Sequence, residues 1–140
     1  MSGPSLYKRA AHQSIHNGAF TEGQELLEVL EQVFREGQME HATVAVQALI
    51  EHWETRTIAH AESEEDGFYQ KKSEENPDLQ ELIIMLKRDH QLFRDIINDI
   101  KQIIDEEGGV NEAVIDRFKT LFVLNEIHNH YEETYLFDEH

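Results

Sequence analysis

One short pattern occurs twice in this chain and restricts its fold more than any other feature. His60, Glu64 and Glu65 are followed by the apolar pair Phe68-Tyr69, and much later His128, Glu132 and Glu133 are followed by Leu136-Phe137. Both segments therefore read H-x-x-x-E-E-x-x-[LF]-[FY]. Residues four apart share one face of an α-helix, so each copy directs an imidazole and a carboxylate the same way. A single copy would suit the solvated face of an acidic helix. Two copies, each with its apolar pair, describe two helices that turn the same polar step inward, and paired His/Glu side chains are what a metal ion takes as ligands.

The rest of the chain supplies helices to face them. A first helix is expected from Ser2 or Pro4 towards Gly37, carried by Leu26, Leu27, Leu30, Val33 and Phe34 at helical spacing. Asn17-Gly18 and Gly23 weaken its first half by about 1 kcal/mol per glycine, so a bend or break is expected there. A second helix runs from about Met39 to Lys72, with Val46, Leu49, Ile50, Trp53 and Thr57 leading down one face to His60. Pro77 suits the first turn of a third helix, whose stripe of Leu79, Ile83, Leu86, His90, Phe93, Ile97, Ile100 and Ile104 is the most regular in the sequence. Gly108-Gly109 ends it, and Asn111 is a natural N-cap for a fourth helix with Val114, Phe118, Leu121, Leu124 and Leu136 on its apolar face. No alternating pattern argues for strands. Four amphipathic helices with short connections predict an all-α, antiparallel up-down-up-down four-helix bundle forming one domain over residues 1–140.

Charge narrows the partners. The formal net charge is -17, which disfavours nucleic acid and anionic membrane surfaces and attracts cations. Cysteine is absent, so thiolate zinc sites, iron–sulfur clusters and catalytic thiols are excluded. No apolar run approaches the roughly 20 residues of a membrane span, and the N-terminus lacks a signal-peptide core. A cytoplasmic protein is expected.

Nine histidines are many for 140 residues, and they sort by helix face. His90 interrupts the third apolar stripe; a histidine alone there is more often a satisfied core residue than a ligand. It is not alone, because His60–Glu64 and His128–Glu132 face the same interior, and His12 and His16 extend the Leu26/Leu30 stripe backwards. Burying five imidazoles and two carboxylates without partners would cost several kcal/mol, a cost that bound metal offsets. Glu65 and Glu133 lie about 100° round the helix from their neighbours and are expected to face solvent, as is His130. His41, His52 and His140 fall off the stripe.

With these residues in hand, the chain resembles the hemerythrin-like proteins of the HHE cation-binding type over essentially its whole length. The resemblance rests on His90 within LKRDHQLF, on His60-x-x-x-Glu64, on His128-x-x-x-Glu132 and on a helix-one histidine. It implies a four-helix bundle around a non-haem di-iron centre, with Glu64 and Glu132 bridging and the histidines terminal. The ferritin-like bundles use E-x-x-H twice, and this chain has no E-x-x-H. Two departures stand out. Oxygen-carrying hemerythrins place a second histidine four residues after the helix-three ligand, where this chain has Arg94. They also place an aspartate five residues after the helix-four histidine, where Glu132 and Glu133 occupy the fourth and fifth positions. The pair His12-x-x-x-His16 offers the missing H-x-x-x-H on helix one instead, as if the two halves of the bundle were exchanged.

The number of helix-one ligands sets the chemistry that the resemblance implies. If His12, His16 and His60 share one metal with both carboxylates and a solvent bridge, that metal is closed, and the metal on His90 and His128 keeps one open position. If His16 alone contributes, both metals are open. His16 is the surer ligand of the two. The expected function is binding of O2 or a related small diatomic ligand, for carriage, storage or sensing. The alternatives are a di-iron oxidoreductase acting on peroxide or nitric oxide, an iron-handling stress protein, and a metal-free acidic helical module. Imidazole and carboxylate suit iron, manganese or zinc alike; two iron ions follow from the resemblance.

Overall fold

A computed structural model describes residues 9–137. The expected helix start at Ser2 or Pro4, and His140, lie outside those residues. Among the described residues there are four helical rods and no strand. The rod α1 (Arg9–Arg35) is continuous, so no break occurs near Gly18 or Gly23. Gly23 is needed for packing instead. A Cβ there would come within 3.0 Å of His52 Nε2 and of the Phe122 ring, so the missing side chain lets α1 press against two other helices. Gly37 then stops α1 in the left-handed conformation at φ 74°, with Gly37 N donating to Phe34 O and Gln38 N to Val33 O, a two-bond helix stop that glycine favours.

The second rod, α2, covers residues 39–75 without a break but is not α-helical throughout. Its α-helical pieces Met39–His52, Ala59–Ser63 and Tyr69–Glu75 are separated by π turns at Trp53–Ile58 and Glu64–Phe68. A 3-10 turn at Pro77–Leu79, capped by the Asn76 side chain accepting from Asp78 N, leads into α3 (Gln80–Glu107), which Gly108 closes at φ 76°. The last rod, α4, starts under Asn111, whose side chain accepts from Val114 N. It runs as α-helix over Glu112–Tyr131 and as a π turn over Glu132–Leu136. Two of the three π turns therefore begin at the glutamate of the repeated motif. Such widened turns are uncommon and concentrate at functional sites.

Contacts between rods fix their sense. His12 meets Glu64 and Ala19 meets His52; Glu54 meets Lys101 and Glu65 meets Arg94; Asp89 meets His128 and Asp99 meets Arg117. Glu31 meets Lys119, and His16 meets Glu133. In each pair of neighbouring rods, one number rises as the other falls, so all four neighbours are antiparallel. The interior has two apolar clusters. The larger includes Leu30, Leu49, Trp53, Phe93, Ile97, Ile100, Phe118 and Phe122, where each fully buried large side chain contributes roughly 1.5–3 kcal/mol. The smaller holds Phe68, Tyr69, Ile83, Leu86, Leu136 and Phe137. Along α2, α3 and α4 the histidines and glutamates of interest fall between the two, and on α1 His12 and His16 precede the residues of the larger cluster.

Candidate metal centre

Between those apolar plugs, all seven residues singled out in the sequence converge. His12, His16, Glu64, His90, His128 and Glu132 are buried, and His60 is mostly so. They form two groups whose ligand atoms lie within 4.8 Å of one another: His12, His16, His60 and Glu64, and Glu64, His90, His128 and Glu132. Glu64 belongs to both. Its Oε2 lies 2.9 Å from His12 Nε2 and 3.6 Å from His60 Nε2, while its Oε1 lies 3.4 Å from His90 Nε2. Glu132 mirrors this: Oε1 contacts His12 Nε2 and is 3.5 Å from His16 Nε2, and Oε2 is 3.3 Å from His128 Nε2. Each carboxylate thus offers one oxygen to each set of imidazoles. His12, which the sequence left open, is fully buried between both carboxylates.

The outer nitrogens explain how the rings are held. His90 Nδ1 is 2.7 Å from Glu65, His128 Nδ1 is 2.9 Å from Asp89, and His16 Nδ1 is 3.1 Å from Glu133. These carboxylates accept from the Nδ1–H of each ring, which turns Nε2 inward and fixes the tautomer, as acidic partners do for metal-bound histidines. The expectation that Glu65 and Glu133 face solvent is therefore corrected. An imidazole has two nitrogens on opposite edges, and the π turns starting at Glu64 and Glu132 respace consecutive side chains, so both glutamates of each pair reach a ring. His130 is exposed as expected, and His41 is exposed and bonded to Gln38. His52 is buried away from the centre, with its Nε2 donating to Ala19 O.

The electrostatics of the protein groups show how strongly the site favours positive charge. Burial opposes a charged ring at His12, but hydrogen bonds to Glu132 and Glu64 outweigh it and push the pKa up to about 10. Burial likewise opposes charge at His128, yet Asp89 and Glu132 raise it to about 9. Burial would lift the Glu132 carboxyl, and His12 and His128 together hold it well below the usual range. His60, where burial outweighs Glu64, is pushed down instead. In effect, protons occupy the place of positive charge.

One observation fits a metal ion better than a proton, and a second fits either. His60 Nε2 is buried and has no hydrogen-bond partner among the described residues, which is costly unless it binds something. His90 Nε2 and His128 Nε2 face each other at 3.2 Å. Since the Nδ1 of each ring donates to a carboxylate, something positive must lie between the two inner nitrogens: the proton that His128 holds with its raised pKa, or a cation in its place.

Three groups in the shell escaped the sequence. Tyr69 is fully buried, its hydroxyl donates to Glu132 Oε2 and sits 3.3 Å from His90 Nε2, and its ring stacks on His90 at 5.5 Å. It was visible only as half of an apolar pair. Burial, reinforced by Glu132 and Glu64, keeps that phenol firmly protonated. Asp89 had no signal beyond its place next to His90. Asn125, three residues before His128, is buried at 6% exposure.

The family described as Hemerythrin HHE cation binding domain matches residues 11–139, and the chain belongs to that family. Compared with the curated proteins and with the solved structures, the chain has no significant match. No helix among the described residues is long and apolar enough to cross a membrane.

Proposed function

From membership of the hemerythrin HHE family and the paired donor sets, we propose that this protein holds two iron ions in a carboxylate-bridged pair and binds O2 or a related small diatomic ligand there. The observation that carries this most is the splitting of Glu64 and Glu132, each with one oxygen towards either set of imidazoles. His12, His16 and His60 would hold one ion and His90 and His128 the other. The second ion then has one protein ligand fewer and is the one left open. Bound iron would supply a redox-active Lewis acid for the diatomic ligand. The chain's part is to exclude bulk water with the two apolar clusters, to orient Nε2 of His16, His90 and His128 through Glu133, Glu65 and Asp89, and to keep a proton on Tyr69 against Glu132.

Iron reconstitution followed by elemental analysis tests the metal pair: about two iron ions per chain are expected, and less than one would contradict it. A second reading, a di-iron oxidoreductase turning over peroxide or nitric oxide, gains from Tyr69, a buried hydroxyl beside His90. Visible spectra cycled between O2 and argon separate the two. Reversible change supports carriage or sensing, and irreversible bleaching or turnover supports the oxidoreductase.

A further inference from the structure

The repeated segment extends further upstream than its histidines. Three residues before His60 stands Thr57, and three residues before His128 stands Asn125. Positions three apart share a helix face, so both side chains precede their histidine on the side towards the larger apolar cluster. There they line one cavity together with His60, Glu64, His90 and His128. The cavity leaves about 20 Å³ for the centres of water-sized molecules, which is room for one such molecule and little more.

Neither polar side chain, the half-buried Thr57 or the buried Asn125, bonds to another described residue. Asn125 is buried, and its amide makes no hydrogen bond to the described residues. Thr43, Thr55 and Thr120 each donate back to the carbonyl four residues earlier. Thr57 makes no such bond. Beside them, His60 Nε2 is buried and has no hydrogen-bond partner among the described residues, which is unfavourable, so the cavity between these two side chains and the inner edge of the histidines suits a polar occupant. Around them, Ile15, Ala19 and Phe93 are apolar. At the rim, Arg56 is occupied by Glu22 at 3.0 Å.

We propose that Thr57 and Asn125 form a polar clamp that orients a small ligand of two or three heavy atoms by donating hydrogen bonds to the end that points away from the metals. The clamp presupposes the metal pair proposed above. The ligand class follows from size and charge together. The cavity has no room for an organic substrate without repacking, and the field of a chain at -17 opposes anions on entry. The natural occupant is therefore a small neutral molecule that becomes a stronger hydrogen-bond acceptor once bound.

Azide is a suitable probe, because its binding to ferric iron is read by colour and its terminal nitrogen accepts hydrogen bonds. The di-ferric wild-type protein, Asn125→Leu and Thr57→Val are titrated with azide, and iron content and the melting temperature of the metal-free forms are measured alongside. Asn125→Leu is expected to weaken azide roughly ten- to a hundred-fold, the worth of a hydrogen bond to a charged acceptor. Thr57→Val is expected to weaken it roughly three- to ten-fold. Iron content should hold, and the metal-free Asn125→Leu protein should melt no lower than wild type, since the amide bonds to no described residue. Azide affinities within about twofold of wild type, with iron intact, would overturn the clamp and leave the metal pair standing. Loss of iron, or a lower melting temperature of the metal-free variant, would overturn it by making Asn125 part of the scaffold. A wild-type protein that takes up no iron would remove both proposals together.

Discussion

The two copies of H-x-x-x-E-E begin alike and end in different company. In α2, Glu64 lies with His12, His16 and His60, while in α4, Glu132 completes the group of His90, His128 and Glu64. Three imidazoles face one side of the carboxylate pair and two face the other, because α1 contributes two histidines and α3 contributes one. The aromatic residues that follow differ as well. Tyr69 stacks on His90 and donates to Glu132; its counterpart Phe137 packs against His12 at 4.9 Å and has no hydroxyl to offer. The half with fewer nitrogens is thus the half with the phenol. A repeated sequence yields an unsymmetrical centre when the helices facing it are not repeated.

The largest effect is expected where the halves are joined. Glu132→Gln keeps the shape but removes the charge that both imidazole sets use, so both metals should be lost, with affinity falling by more than the roughly 10- to 100-fold typical of outer partners. Retention of one iron on elemental analysis would show that the halves are not coupled through this carboxylate. Next come variants confined to one half. His90→Ala should remove one of only two imidazoles and leave about one iron per chain, whereas His60→Ala, in the half with three, should retain more. Equal losses would erase the distinction. Asp89→Asn and Glu133→Gln then test the outer partners of His128 and His16; each should weaken metal roughly 10- to 100-fold, with Asp89→Asn the more damaging because its half has less to spare.

Proton linkage gives a prediction of opposite character for the metal-free protein. The pKa values of His12 and His128, at about 10 and about 9, lie above the ordinary 6.5. Their support for the metal-free fold is therefore complete below about pH 6.5 and is lost as pH rises through 9 to 10. The melting temperature of metal-free protein should fall over that window while that of loaded protein stays level, since metal replaces the protons. The smallest effect is expected from Tyr69→Phe, which makes the two copies more alike. It should cost the metal-free fold about 1.5 kcal/mol by denaturant titration, the worth of one hydrogen bond to a carboxylate.

Much of this was legible because it depends on period. The stripe from Ile83 to Ile100 fixes α3, and the His/Glu spacing fixes which faces of α2 and α4 turn inward, so four rods and most of the converging residues follow from spacing, while the part of His12 was left open. What escaped depends on departures from that period. The π turns at Glu64–Phe68 and Glu132–Leu136 are invisible to a search for 3.6-residue repeats, and with them went the inward reach of Glu65 and Glu133. Gly23 looked like a weak point because helix propensity is a local property, while its value here lies in the approach of His52 and Phe122. Tyr69 counted as apolar because a phenol and a phenyl ring fill the same place in a stripe. Asp89 reaches His128 across a helix interface, a contact that no pattern within α3 encodes.

The central claim is one coupled pair of metals in unlike surroundings. Mössbauer spectroscopy of protein reconstituted with isotopically enriched iron tests it most directly. Two quadrupole doublets of equal area are expected, one per half, with azide shifting only the doublet of the half holding His90 and His128. A single doublet, or two that shift together on adding azide, would contradict it.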